Sequence, residues 1–306
     1  MYYNQNHKRR LVLQEEKTME VKILIAVIVA LNLYFAYYLF KDLKGHMKET
    51  MAEPGSPIFY SILGFVSEFL STMSISDYAI NTVVYRTTKY VKDELIPPTL
   101  NTEATIPCMV MALAYITTVK CDFVTLVVLI IAQTLGAYFS PKFVSKLPAN
   151  VIRWFMGIGL GVAAIMIAGN QLNIFGGSGN AMGLSGIKLI IAAVAMFCLG
   201  ACNNIGIGAF APTTALIYAL GVSPLVAFPI MMGACACSMA VGSTEYIKLE
   251  NYARKPTLFF LVPATLGVLC AAFVVTNIDL YYLKWIVCGV VCYASFDLIK
   301  TQLRKG

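Results

Sequence analysis

The sequence predicts an all-α membrane protein that is built from two inverted repeats and one extra N-terminal helix. Each repeat is predicted to contain a broken or re-entrant helical hairpin followed by three transmembrane helices. The first observation behind this prediction is composition: 58% of the 306 residues are hydrophobic and 13% are charged, whereas a soluble domain carries about 25% charged residues. The second is an internal repeat with a spacing of 131 to 132 residues.

The repeat is visible in pairs of matching segments. Residues 71–82 align with residues 203–214, which lie 132 positions later. Residues 135–137 (Leu-Gly-Ala) match residues 266–268 (Leu-Gly-Val), which lie 131 positions later. Each copy opens with a polar interruption of an apolar stretch. Two copies of such a unit are a common plan of secondary transporters.

Five segments follow one another along the chain. Residues 1–20 form a polar tail, and residues 21–40 form an extra transmembrane helix, because this apolar run has the length of a bilayer span and lacks a signal-peptide cleavage site. Residues 57–169 are the first transmembrane repeat and residues 187–300 are the second. The linker at residues 170–186 carries no charged side chain.

The number of membrane crossings predicts how the two repeats are related. The hairpins, predicted at residues 57–91 and 187–220, have arms that extend about 22 Å, which is short for a full crossing. Each hairpin returns the chain to its starting side, and three further spans make the repeat odd. The two copies should therefore be inverted, in a multi-pass membrane protein.

Charge and cysteine usage exclude several classes of protein. The net charge of +7 comes mostly from short loops, which favours contact with membrane lipid over nucleic acid. The nine cysteines lie in or beside apolar segments and are predicted to be packing residues. Both histidines, His7 and His46, lie in polar flanks, so no metal site, cofactor or catalytic residue is predicted. The chain is not expected to be an enzyme, and no pattern predicts its oligomeric state.

The polar interruption of the second repeat has the features of an anion site. Two glycines let the backbone turn sharply, and Pro212 is tolerated in the first turn of a new helix. Free N–H groups and the positive end of the helix dipole then face the break. The alternative is a glycine-rich packing hinge without a ligand. The predicted substrate-binding residues here are Asn203, Asn204, Gly206, Gly208, Thr213 and Thr214.

The first repeat has a different polar interruption, and it is predicted to form the opposing half of the site. Its substrate-binding candidates are Ser74, Ser76, Asn81 and Thr82, and Ser238 from the second repeat is expected to face the same cavity. Asp77 has two interpretations: a helix N-cap, or an acid at a membrane hinge that takes up and releases a proton. Glu103, which precedes a predicted span at residues 104–118, is expected at the membrane interface, with a proton carrier as the alternative.

These motifs resemble the sulfite exporter TauE/SafE family. The resemblance rests on the GIGAFAPTT element at residues 206–214, the AFPIMMG stretch at residues 227–233 and Val241-Gly242-Ser243, and it covers residues 57–300. It implies a multi-pass carrier of small sulfur-containing or organic anions such as sulfite or sulfoacetate, coupled to protons. The first repeat departs from the family pattern, since serines replace both glycines at positions 74 and 76.

The predicted function is therefore secondary transport of a small anion by alternating access around a midplane site where the two hairpin tips meet. Protons are the candidate coupling ion. Two alternatives stay open at this point. One is a non-transporting membrane sensor or partner subunit derived from such a carrier, and the other is a passive anion channel.

Overall fold

In the computed structural model of the chain, the described residues form helices and the short segments that connect them. These residues are 2–73, 75–118, 121–172, 174 and 181–274, with scattered positions between 285 and 303. Within the first helix, side chains are described from residue 19 onward. No strand forms among the described residues. The third span predicted for the second repeat, after residue 279, lies almost entirely outside them.

The N-terminal part and the first repeat contain eight helices. They are α1 (Tyr2–Gly45), α2 (Met47–Ala52), α3 (Pro57–Thr72), α4 (Asp77–Thr88), α5 (Ile96–Thr118), α6 (Phe123–Phe139), α7 (Pro141–Val144) and α8 (Ala149–Gln171). The helix at the N-terminus thus starts before the predicted span at residues 21–40. Similarly, α5 starts eight residues before its predicted bound, because two prolines at positions 97 and 98 are tolerated in a first helical turn.

The described part of the second repeat contains four helices. They are α9 (Gly186–Asn204), α10 (Phe210–Ala219), α11 (Pro224–Lys248) and α12 (Arg254–Val274). Helices α3 and α4, and likewise α9 and α10, are separated by short breaks at the positions where the sequence predicts the two hairpin tips.

Four helical segments are long and apolar enough to cross a membrane, among the residues that could be searched. They are Met19–Gly45, Phe123–Val144, Gly186–Asn204 and Arg254–Ala272. Only 22% to 44% of the most apolar window of each segment is buried, so most of these apolar side chains face outward. Such a surface suits lipid rather than water. The chain is therefore an all-helical membrane protein.

Helices of the two repeats pack against each other in matching pairs. Helix α3 packs along α12, and α9 packs along α6. The glycines of the Leu-Gly segments lie at these contacts. A Cβ at Gly136 would lie 1.9 Å from the carbonyl oxygen of Phe197, and a Cβ at Gly267 would lie 2.3 Å from that of Phe65. Phe65 and Phe197 are 132 positions apart, so the sequence repeat corresponds to a repeated helix contact.

The centre of the molecule is formed by α5 and α11, which pack against each other. Both helices bury polar side chains. Thr105 Oγ1 and Ser243 Oγ share a hydrogen bond of 3.0 Å between them, and Thr102 Oγ1 and Thr257 Oγ1 share one of 3.1 Å between α5 and α12. All four side chains are fully buried. The helices with apolar outer faces thus enclose a polar interior.

The C-terminal end of the extra helix α1 is attached to this core. Arg254 donates hydrogen bonds of 2.7 Å and 3.1 Å to the carboxylate of Asp42. Tyr252 donates a further one of 2.6 Å to the same carboxylate. Glu53 accepts from the backbone N–H groups of Arg254 and Lys255 at 3.1 Å and 2.8 Å. These bonds fix the start of α12 against the end of α1 and the segment that follows α2.

Candidate functional site

The break between α9 and α10 is held by one asparagine and two glycines. Gly206 and Gly208 have φ values of +94° and +72°, a backbone conformation that side chains with a Cβ rarely adopt. The side chain of Asn203 reaches across the break, and its Oδ1 accepts a 3.0 Å hydrogen bond from the backbone N–H of Ala209. The start of α10 is thereby capped by a residue from the end of α9.

The same asparagine connects this break to the first repeat. Its Nδ2 donates to Asn101 Oδ1 at 2.8 Å and to the hydroxyl of Tyr78 at 3.3 Å. Tyr78 in turn donates to Asn101 Oδ1 at 2.8 Å, and Asn101 Nδ2 donates to the backbone carbonyl of Asn203 at 3.3 Å. Asn203 and Asn101 are at most 2% exposed, and Tyr78 is 8% exposed. We call these three residues the tip triad.

The tip triad brings three elements together at a buried point. Tyr78 lies in the first turn of α4, Asn101 lies in α5, and Asn203 lies at the end of α9. The glycine turn also lies against the first repeat, since a Cβ at Gly208 would be 3.7 Å from Tyr78 and one at Gly206 would be 3.2 Å from Pro97. The start of α4 and the break between α9 and α10 are therefore in direct contact, as expected if the hairpin tips meet.

The break between α3 and α4 has a different set of contacts. Ser76 is the N-cap of α4, and its side chain accepts from the backbone N–H of Ala79 at 3.3 Å. The interpretation of Asp77 as the N-cap is therefore wrong: Asp77 occupies the first helical position instead. Its carboxyl group accepts a 3.0 Å hydrogen bond from the hydroxyl of Ser71 and is 4% exposed. Ser74 lies outside the described residues.

Further along α4, two more predicted residues are buried, and one of them contacts Glu103. Asn81 Nδ2 donates to Glu103 Oε1 at 3.1 Å, and the hydroxyl of Tyr85 donates to Glu103 Oε2. The expectation that Glu103 lies at the membrane interface is wrong, because its exposed fraction is zero and α5 extends well before it. The hydroxyl of Thr82 is buried without a hydrogen-bond partner.

The remaining predicted site residues lie away from the tip triad. Asn204 points toward α6, where its Nδ2 donates to the carbonyl of Ala137 at 2.8 Å and to Ser140 Oγ at 2.7 Å. Ser238 accepts a 3.0 Å hydrogen bond from Gln133 Nε2 between α6 and α11.

The threonines of α10 also turn away from the tips. Thr213 donates to the sulfur of Met196 at 3.7 Å and Thr214 donates to that of Met231 at 3.3 Å. Of the six residues predicted in the second repeat, the structure thus brings Asn203, Gly206 and Gly208 to the tip triad.

Sequence reasoning missed two members of the tip triad. Tyr78 resembles an ordinary apolar helix residue when only its own segment is considered. Asn101 had a detectable signal, because it ends the Pro-Pro-Thr-Leu-Asn element at residues 97–101. Gln133, a buried amide that contacts Ser238, is a third residue that was not predicted.

The described residues contain no group of three or more His, Cys, Asp or Glu side chains arranged to hold a metal ion. Comparison with known proteins finds no family model that matches the chain, and no curated protein or solved structure that is significantly similar to it. The resemblance drawn from the glycine-rich motifs therefore stays a prediction.

Proposed function

We propose that this chain is a secondary transporter of small sulfur-containing or organic anions, such as sulfite or sulfoacetate, in the bacterial cytoplasmic membrane. Transport is coupled to protons and occurs by alternating access around a midplane site at the two hairpin tips. The observation that carries this proposal is the tip triad, Tyr78, Asn101 and Asn203. It places hydrogen-bonding groups of both repeats at one buried point, next to a helix that starts inside the protein.

The chemistry of this point suits an anion with oxygen atoms. The start of α10 offers the positive end of a helix dipole. The triad carries amide and hydroxyl donors that would exchange their bonds with one another for bonds to the anion. The described hydrogen bonds of the triad involve no lysine or arginine. Binding by neutral donors favours a small anion that must also leave again, because a buried pair with a fixed cation is costly to break.

An inverted repeat explains how the site would be opened from alternate sides. The matching contacts, Gly136 with Phe197 and Gly267 with Phe65, pair each hairpin with a helix of the other repeat. Small residues at such contacts allow close packing of rigid helices in a membrane. Rocking of one hairpin and its partner helix against the other pair would expose the triad to one side at a time.

Flux measurements in proteoliposomes test this proposal. Sulfite, sulfoacetate and thiosulfate, with a carboxylate control, are supplied with and without an imposed pH gradient. We expect saturable uptake that a pH gradient drives uphill. Asn203→Ala should raise KM or abolish uptake, because it removes the residue that joins the two repeats. The matched variant Asn204→Ala removes the neighbouring amide, which points toward α6, and should change KM less than Asn203→Ala does.

Two results would contradict the proposal. Binding of a sulfur oxyanion without any flux, from protein shown to be folded, would favour a sensor or partner subunit derived from a carrier. The one observation in favour of that alternative is that both polar ends of the Asn203 amide are already bonded within the protein. Flux that never accumulates the anion against its gradient would indicate a passive channel.

A further inference from the structure

Three carboxyl groups are buried on neighbouring helices of the first repeat. Glu68 on α3 is 1% exposed, Asp77 at the start of α4 is 4% exposed, and Glu103 on α5 is fully buried. The hydrogen bonds that the structure describes reach Asp77 and Glu103 from the neutral side chains of Ser71, Asn81 and Tyr85. A buried carboxylate without a cationic partner is costly, so this cluster needs a physical explanation.

Glu68 and Asp77 approach the same part of this cluster from two helices. Ser71 lies three positions after Glu68 on the same face of α3, and its hydroxyl donates to the carboxyl group of Asp77 at 3.0 Å. Two carboxylates near each other in a buried site repel strongly, which favours the uptake of one proton by the pair. Glu103 differs, because both of its oxygen atoms accept hydrogen bonds from protein donors.

Unsatisfied oxygen atoms form the second, independent observation. Glu68 Oε1, Asn81 Oδ1 and the hydroxyl of Thr82 are buried and have no hydrogen-bond partner. Asn81 lies one helical turn after Asp77 on the same face of α4, and its Nδ2 is bonded to Glu103, so its amide oxygen lies in the cluster. Buried acceptors without a donor are rare in folded proteins. Unpartnered oxygen atoms such as these can accept a hydrogen bond from a carboxyl group that is reversibly protonated.

Other titratable and charged groups on the surrounding elements must be considered. They are Tyr78, Tyr85 and Arg86 on α4, Glu103 and Cys108 on α5, Cys235 on α11, and Arg254 and Lys255 at the start of α12. Phenols and thiols are neutral near pH 7. Arg86 lies nine positions after Asp77, about 13 Å further along the helix axis. Arg254 and Lys255 are held by the contacts that attach α1.

The second repeat has no equivalent of this cluster. The repeat spacing pairs Glu68 with Gly200, Asp77 with Ala209 and Glu103 with Ala234. Packing alone does not account for three acids in one half and none at the same positions of the other. The asymmetry instead indicates that the two repeats bind different ligands.

We propose that Glu68 and Asp77 form a proton-binding site that takes up and releases one shared proton. The role of this proton as the coupling ion rests on the transport function proposed above, whereas the proton site itself does not. The proposal assigns Glu68 as the partner of Asp77 and the first repeat as the proton-binding half of the carrier.

Infrared spectroscopy of the full chain in detergent tests the proton site without any substrate. A protonated carboxyl group gives its own carbonyl band, which shifts in heavy water and disappears reversibly as the pH is raised. We expect this band in the wild-type protein and its loss in both Glu68→Gln and Asp77→Asn. The control Glu49→Gln changes an exposed carboxyl group and should keep the band. If one of the two variants does not fold, the other still tests the pair.

Absence of the band at every pH, or a band that survives in both folded variants, would overturn the proposal. Proteoliposome flux separates it from the proposed function. Uphill uptake that a pH gradient drives in the wild type, and fails to drive in Glu68→Gln, supports the coupling role. Uptake driven by a sodium gradient alone would overturn that role. A normal band with no flux of any anion would overturn the transport function and leave the proton site supported.

Discussion

Adding one methyl group at Gly136 or at Gly267 should push apart two helices that are in backbone contact. The new Cβ would lie 1.9 Å from the carbonyl oxygen of Phe197 in the first case and 2.3 Å from that of Phe65 in the second. Non-bonded heavy atoms are at their optimal separation at about 3.5 to 4.0 Å. The helices therefore have to separate by about 1 to 2 Å, since the atoms in the way belong to the backbone and cannot rotate aside.

The expected cost follows from known effects of overpacking. Such insertions destabilise proteins by about 1 to 3 kcal/mol. For a chain larger than about 250 residues, each kcal/mol lowers the melting temperature by roughly 2 °C. Gly136→Ala and Gly267→Ala should each lower it by about 2 to 6 °C, and by similar amounts, because the two contacts are related by the repeat.

Thermal unfolding of the purified protein in one detergent measures this effect. The control is Gly45→Ala, because a Cβ at Gly45 would have no atom within 4 Å, and its melting temperature should equal that of the wild type. The reasoning is refuted if both contact variants melt at the wild-type temperature. A large effect at Gly136 with none at Gly267 would show that the two contacts are not equivalent.

Three further predictions concern the attachment of α1 and the glycine turn. Arg254→Ala should cost about 1 to 3 kcal/mol in unfolding free energy, because it leaves the Asp42 carboxylate without its cation. Glu250→Ala should cost less than about 0.5 kcal/mol in unfolding free energy, since Glu250 is exposed and lies 3.8 Å from the same arginine. Equal losses in the two variants would contradict both of these predictions. Burial and then the Asp42 hydrogen bond raise the pKa of Tyr252, so stability should fall as the pH rises above about 10. Melting curves of Tyr252→Phe should show a smaller loss there, and an unchanged slope would count against this. Gly208→Ala should cost about 1 to 2 kcal/mol because of its positive φ, measured in the same assay, and a wild-type melting temperature would refute it.

The fold was largely predictable because its main signals are local or periodic. Apolar length located the helices, and the polar interruptions of the two repeats located the two breaks. The spacing of Gly136 and Gly267 along the chain indicated the sequence repeat. The contacts of these two glycines with Phe197 and Phe65 follow the same spacing. The residues at which the helices begin and end were less predictable. The prolines at positions 97 and 98 suggest an interruption, whereas the structure accommodates both in the first turn of α5.

The candidate site was predictable only in part because its partners are distant in sequence. Asn203 could be identified from its own segment, but its contacts with Asn101 and Tyr78 join residues 102 and 125 positions apart. Glu103 was misassigned for the same reason. Its burial depends on Asn81 and Tyr85, which approach it from another helix.

The two helix breaks show how the same positions can serve different chemistry. Ser71 and Asn203 are equivalent in the repeat, and so are Asp77 and Ala209. In the second repeat Asn203 accepts a hydrogen bond from the backbone N–H of Ala209, whereas in the first repeat Ser71 donates to the carboxyl group of Asp77. A side chain at the end of one helix thus reaches the start of the next in both halves, but the group it meets is a neutral amide in one and an acid in the other. In the proposed transport cycle, an ionised acid beside the tip triad would repel an anion, so a proton on the Glu68–Asp77 pair would favour anion binding and its release would favour anion departure. Coupling would then need no contact between the proton and the anion, because both would act on the tips of two hairpins that touch.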